Sequence, residues 1–587
     1  MSSPGNISSL GTLRQGPAFT ALSVVALMAV AAFLRFSDLE TNPPGLWQDE
    51  ASTGLDAYLL WTTGQDRAGE RYPIIARSFG DYPLAGYRYL AAPIVGLFGL
   101  TMGHERLVAA FFGTLMVLVA GWASRQRFGP GAGLFTLLSC TFAPTWLHFS
   151  RYGSEAILLP TCLVLGWALV DWGRDERRRI GLWLGAASLA ASAYTYHAVK
   201  LFLPLWLAGF VVLQWPLIRA VWRQHKVHLI GPALVFALGV APSMVAAVTE
   251  GGMARGRTVL AWYQAEGMTL FRLMLGNYLS YFDPGMLYVR GGPAVAQSIP
   301  GLGMWNLVEL PLMVLGLATM FRPKAQRRAA GFVLFWFLLG PVPGGVTYET
   351  HNMGRAIAWL PAPQLIAGWG GAVAVRWAWG WAREVGAGWR RGLGVASLLA
   401  LLAGWSATAY AVWWCTLVRY PKVTERDWQF EITQSMQCAL ANRVDETLIV
   451  SPHFQMASVF AEFHFAHADE AAGKRIWRLG VRDVVSPGEL YLTPQRGEPP
   501  KGKVVCKVVH GPTGQIYAQV FGPPDVGPDP EPGPTSAPGA PPTLRPSATT
   551  PVLDLRRHMP PGLAPPPPPP PPAGGAPGDR PPLQAPH

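Results

Sequence analysis

Gly45-Leu46-Trp47-Gln48-Asp49-Glu50 follows the first strongly apolar block of the chain and opens a long polar loop. Two adjacent carboxylates just outside a membrane are costly near lipid unless they are solvated, paired or functional. Two readings are open. Asp49 can activate an acceptor, or the pair can be a solvated helix cap, since acidic residues are common at helix starts. The block before it, about residues 18 to 35, has no small-residue cleavage pattern after it and reads as a retained first spanning helix.

Of the 587 residues, 50% are apolar and 14% are charged, against roughly 25% charged in ordinary soluble domains. Apolar residues gather in blocks of about 17 to 20, the length that carries a helix across roughly 30 Å of hydrocarbon. The 24 Trp suit membrane interfaces. A net charge of +12 raises nucleic acid as a partner in a soluble protein, but here the basic residues lie between apolar blocks. The membrane surface is the simpler counter-ion, and nucleic acid is not expected. Of the five Cys, none forms a CxxC or a Cys/His metal spacing; Cys438 and Cys506 share a later soluble region and can pair if it is extracytoplasmic.

Further spans are expected near 105–124, 131–149, 156–172, 180–197, 201–218, 229–248, 301–320, 329–345, 357–376 and 392–412, about eleven with the first. Loops rich in Lys and Arg stay in the cytoplasm. The clusters Arg125/Arg127, Arg174/Arg177/Arg178/Arg179, Arg219/Arg223/Lys226, Arg322/Lys324/Arg327/Arg328 and Arg383/Arg390/Arg391 therefore place every second connection inside. The acidic stretch and the loops at 150–155, 249–300 and 346–356 face outward. The segment near 82–100 would invert this pattern if it crossed, so it is expected to lie along the outer interface as a juxtamembrane helix. The first 412 residues form the membrane domain. Residues 424–522, with an amphipathic run near 427–442 and alternating runs at 503–509 and 515–521 around a turn, form a small extracytoplasmic α/β domain. Residues 523–587, rich in Pro, read as a disordered tail.

Ionisable residues recur at the outward ends. Arg151 and Glu155, four apart in HFSRYGSEAILLP, pair with each other or face Asp49. AYTYHAVK carries His197 and Lys200, a cation and a donor at headgroup depth, though tyrosine girdles and a snorkelling lysine look the same. Arg255, Arg257, Arg272 and Arg290 in the outer loop run against the inward bias and favour an anionic ligand or acidic lipid. His351 and Arg355 are suitably spaced to grip a phosphate, or simply to cap. No P-loop, GxGxxG at a strand-to-helix turn, or HExxH occurs, which disfavours nucleotide hydrolysis and zinc peptidase chemistry.

The order of WQDEAS, DYPLAGYRYL and RLVAAFFGTLMVLVAGWASRQRFGPGAGLFTLLSCTFAPTWLHFSRYGSEAIL, with a looser echo at THNMGRAIAWLPA, resembles the GT-C membrane glycosyltransferases of the protein O-mannosyltransferase and aminoarabinose transferase kind. The resemblance implies an inverting transfer from a polyprenyl-phosphate sugar to an acceptor (protein hydroxyl, lipid or glycan) outside the membrane. It makes Asp49 the general base and Glu155 the second acid, with Glu50 assisting or binding a divalent cation that some relatives use. Arg151, Tyr82, His197, Lys200, His351 and Arg355 are the implied phosphate-binding candidates. Tyr82 and Glu155 depart from the family pattern, so the phosphate grip is redistributed. The competing readings are a transporter or lipid flippase, which would bury charges along a path, and a non-catalytic scaffold of envelope assembly.

Overall fold

The computed structural model describes residues 17–522 except 80, 226, 385–387, 443–446, 453, 455, 467–476, 480, 481, 483, 486–488, 495–498 and 510–514. The expected tail and the hairpin turn at 510–514 lie outside the described residues. Helix α1 (Pro17–Phe36) leads to α2 (Gln48–Thr63), so the acidic stretch starts a helix. The segment near 82–100, expected to be juxtamembrane, holds α3 (Gly86–Phe98). There follow α4 (Met102–Phe128), α5 (Pro130–Phe142), α6 (Pro144–Phe149), α7 (Leu158–Trp172), α8 (Ile180–Ala191), α9 (Val199–His225) and α10 (Val227–Ala247). The loop expected at 249–300 holds two helices, α11 (Glu250–Val259) and α12 (Gly267–Ser280). Then come α13 (Glu309–Thr319), α14 (Arg327–Leu339), α15 (Val342–Gly345), α16 (Ala362–Ala382) and α17 (Gly388–Trp413).

Each expected span falls on a helix, but several are shorter than expected; 180–197, for one, is α-helical only over Ile180–Ala191. The segment 131–149 breaks between α5 and α6, because Pro144 cannot donate to a continuing helix and instead sits at the first position of the next one. In 301–320 only Glu309–Thr319 is helical. Gly301 there has a φ of 91°, a left-handed value that ends regular structure. Among the described residues six helices are long and apolar enough to cross a membrane, and four shorter ones are apolar. The chain is an integral membrane protein. Val212, Leu238 and Leu402 stay exposed on α9, α10 and α17, as side chains facing hydrocarbon should.

Tryptophan is not confined to the interfaces. Trp146, Trp167, Trp206, Trp305, Trp336, Trp359 and Trp428 are among the largest fully buried side chains. Trp167, Trp206 and Trp336 pack edge to face at ring distances of 6.0 Å and 5.3 Å. Buried indoles need an acceptor: Trp336 donates to the carbonyl of Ala358 at 2.6 Å and Trp146 to that of Gly113 at 3.0 Å.

Beyond α17 lie α18 (Tyr420–Val423), α19 (Phe430–Asn442) and α20 (Ala457–Phe465) with strands β1 (Thr447–Val450), β2 (Trp477–Leu479), β3 (Glu489–Pro494), β4 (Lys503–Val509) and β5 (Ile516–Gly522). The five-stranded sheet has the order β2-β1-β3-β5-β4. Strand β1 is parallel to β2 and β3, while β5 is antiparallel to β3 and β4. Cys438 on α19 and Cys506 on β4 form a disulfide with Cα atoms 6.6 Å apart.

Candidate active site

The first turn of α2 is fixed by Glu50. Its Oε2 accepts from the backbone N–H of Trp47 at 2.9 Å and its Oε1 from that of Gly153 at 2.7 Å. Arg106, fully buried, approaches Glu50 Oε1 at 2.9 Å and also donates to the carbonyls of Leu39 and Pro43. One carboxylate thus caps a helix, pairs with an arginine and ties the loop 150–154 to the helix carrying Asp49. The helix-cap reading of the acidic pair holds for Glu50. Arg151 is engaged in the same way. Its Nη1 donates to Leu34 O at 2.5 Å and its Nη2 to Ser37 O and Asn42 O at 2.6 Å and 3.0 Å. Its buried guanidinium therefore staples the loop after α1, and it forms no ion pair with Glu155.

Asp49, next to Glu50, points the other way and is exposed. Protein surrounds it nonetheless, and burial raises its carboxyl above the usual aspartate range. Arg255 and Arg88 pull it back down, and Asp81 pushes it up. Glu155, half-buried at the entry to α7, lies within electrostatic range of Arg88 and Asp49. Gly153 hangs on Glu50 two residues before it, so the spacing of the two acids is set through Glu50.

A rim of cations and aromatics surrounds the acids. Arg88 is buried, its Nε 3.0 Å from Asp56, which Arg67 also holds at 3.0 Å, and its Nη1 has no hydrogen-bond partner among the described residues. Asp81 lies 3.6 Å from His197 Nε2 and 3.4 Å from Arg255 Nη1. Burial pulls His197 below the usual histidine range. Lys200 donates to the carbonyl of Gly252 at 2.7 Å. Tyr82 packs beside Gly251, so the loop at 81–82, the turn before α9 and the start of α11 meet. Tyr196 sits in range of Glu155, Asp81, Arg255 and Arg355 and links the two sides of the rim.

His351 and Arg355 stand further round. Arg355 pairs with Glu349 at 2.7 Å and donates to Thr347 Oγ1 at 2.9 Å. His351 has a φ of 60° and lies 6.2 Å from the ring of Tyr281. Neither is on a helix: His351 lies in irregular backbone and Arg355 in a turn. The structure therefore gathers Asp49, Glu155, Tyr82, His197 and Lys200, with Arg355 reached through Tyr196, and directs Glu50 and Arg151 into the scaffold. Asp81, Arg88 and Arg255 join the rim. The sequence shows Asp81 and Arg88 inside DYPLAGYRYL and Arg255 among the outward arginines, but not their convergence. Among the described residues no group of three His, Cys, Asp or Glu can hold a metal. With Glu50 committed to Arg106, it does not fit the role of ligand to a divalent cation that the resemblance left open for it.

The apolar bundle, the acid-bearing first loop and the α/β layer are similar in fold to solved membrane glycosyltransferases of the GT-C type. ArnT from Cupriavidus metallidurans, an aminoarabinose transferase, matches in its apo state with a TM-score of 0.50 and 16% identity, over 86% of this chain and 98% of that one. The same enzyme bound to undecaprenyl phosphate gives 0.49 and 15%, over 85% and 97%. The Archaeoglobus fulgidus oligosaccharyltransferase tethered to an acceptor peptide gives 0.46 and 10%, over 78% of this chain and 64% of that one. At such identity the likeness is one of fold. No family model and no curated protein matches the sequence.

Proposed function

We propose that the protein is an inverting glycosyltransferase using a polyprenyl-phosphate sugar donor at the extracytoplasmic side of the membrane. The observation that carries this reading is Asp49, accessible and raised in basicity, facing Glu155 with Arg88 and Arg255 in range of it. The fold shared with ArnT, which binds undecaprenyl phosphate, supports it. On this reading all eleven spans expected from the sequence cross, the N-terminus is cytoplasmic, and residues 424–522 lie outside. The Cys438–Cys506 disulfide agrees with an oxidising compartment.

The chemistry follows from the geometry. Asp49 takes the proton of the acceptor hydroxyl as its oxygen attacks the anomeric carbon. The bond from that carbon to the phosphate oxygen breaks, and the polyprenyl phosphate leaves with the electron pair. An oxocarbenium-like transition state builds charge on the departing phosphate, which preorganised cations stabilise. Arg88, with an unpartnered Nη1, and Arg255 supply them, with His197, Lys200 and Tyr82 at the edge and Arg355 completing the rim. Glu155 orients the acceptor or the sugar. Glu50 and Arg151 hold the frame.

Purified protein is incubated with a panel of polyprenyl-phosphate sugars and an extract of envelope acceptors, and released polyprenyl phosphate is measured. Turnover by wild type and not by Asp49→Asn supports the assignment. Equal turnover by both removes Asp49 from its role.

A further inference from the structure

A second site lies at the opposite end of the bundle from the carboxylates. Glu105 and Arg125 are on the same helix α4, and their separation corresponds to about 30 Å of rise, one hydrocarbon thickness. There a cavity of about 420 Å³ opens between the ends of α4 and α7, lined by Trp122, Arg125, Gln126, Trp172 and Arg178 together with Asp171 and Asp175.

Its electrostatics are not neutral. Asp171 is held by Arg127 and, at 2.7 Å, by Arg174, neither of which lines the cavity. Asp175 caps the turn that follows, accepting from the N–H of Arg177 at 3.0 Å. Arg178 reaches Asp175 only at 3.5 Å and stacks its guanidinium 5.8 Å from the Trp172 ring. Arg125 is exposed and has no carboxylate within ion-pair distance among the described residues. The segments 125–128 and 171–179 together hold six arginines and three carboxylates. Two half-buried indoles beside surplus guanidinium groups, at the depth of a membrane interface, match a phosphodiester with a glycerol and acyl chains attached.

We infer that this cavity binds the headgroup of an anionic phospholipid, with Arg125 and Arg178 on the phosphate and Trp122 and Trp172 against the glycerol and upper acyl chains. The site is separate from the transfer site, and the inference stands whether or not the chain transfers sugar.

The test uses full-length protein, stripped of lipid in a neutral detergent and titrated with phosphatidylglycerol, phosphatidylcholine and soluble glycerol phosphate, with bound ligand counted by native mass spectrometry. Phosphatidylglycerol should bind in preference to phosphatidylcholine, and Arg125→Gln with Arg178→Gln should weaken it on the order of fivefold for each arginine removed. Arg272→Gln, at an exposed arginine on α12, should leave that affinity unchanged. Arg125→Gln alone removes no ion pair of the fold and serves if the double variant does not fold. Equal binding by wild type and variants, or equal binding of the two lipids, overturns the assignment. Glycerol phosphate binding as tightly as the lipid identifies a soluble anion as the ligand and overturns it as well.

Discussion

At the scale of single residues, adjacent carboxylates have opposite fates. Glu50 is fully buried against Arg106, and removing one partner of such a pair leaves an uncompensated charge. Glu50→Ala should therefore destabilise the protein by about 3–5 kcal/mol, read as a lowered melting temperature in detergent. Asp49→Asn should fold normally and lose about 10²- to 10⁴-fold in transfer rate. Its pH dependence carries a sign. Because burial raises the Asp49 carboxyl, the base form is present only above that raised value. Activity should fall with acidification at a higher pH than an ordinary aspartate, near 3.9, would give. Arg255 lowers the Asp49 carboxyl, so Arg255→Gln should move this acid limb upward. A limb that stays put or moves down in a pH–rate profile would show that Arg255 does not face Asp49.

At the scale of elements, two glycines show how closely the site's supports approach. A Cβ at Gly153 would overlap the carboxylate of Glu105, and the Gly153 N–H is bound to Glu50. Gly153→Ala should shift the 150–154 loop and lower transfer by an order of magnitude or more, the cost of misplacing a reacting group. Its melting temperature should fall less than that of Glu50→Ala. Gly54 on α2 abuts the Phe463 ring of α20, with a Cβ there 2.8 Å from Cε2. The α/β layer thus rests on the helix that carries Asp49. Gly54→Val should loosen this seam, seen as faster hydrogen exchange in α20 with the apolar bundle unaffected. Much at this scale was readable in advance: the alternating runs 503–509 and 515–521 correspond to β4 and β5, and the amphipathic run near 427–442 to α19. The breaks at Pro144 and Gly301 were less readable, because hydropathy averages over a residue whose backbone decides the outcome.

For the whole molecule, composition and apolar spacing reveal a membrane bundle because each span is local and long. The site is different. Asp81, Arg88, Glu155, Tyr196 and Arg255 come from separate loops, and their approach depends on packing between elements that no local pattern encodes. Arg151 illustrates the limit: its position beside the second acid suggested a phosphate ligand, yet three backbone carbonyls take its guanidinium. Buried tryptophan likewise reflects bundle packing that composition assigned to the interface. The account rests on the Asp49 carboxylate and the Arg88 and Arg255 guanidinium groups sharing one donor. The most direct measurement takes polyprenyl-phosphate binding and sugar transfer on the same preparations of wild type, Asp49→Asn and Arg88→Gln with Arg255→Gln. The account predicts that Asp49→Asn binds the lipid phosphate like wild type but does not transfer, while the arginine variant loses binding. Wild-type transfer by Asp49→Asn, or undiminished lipid-phosphate binding by the arginine variant, would contradict it.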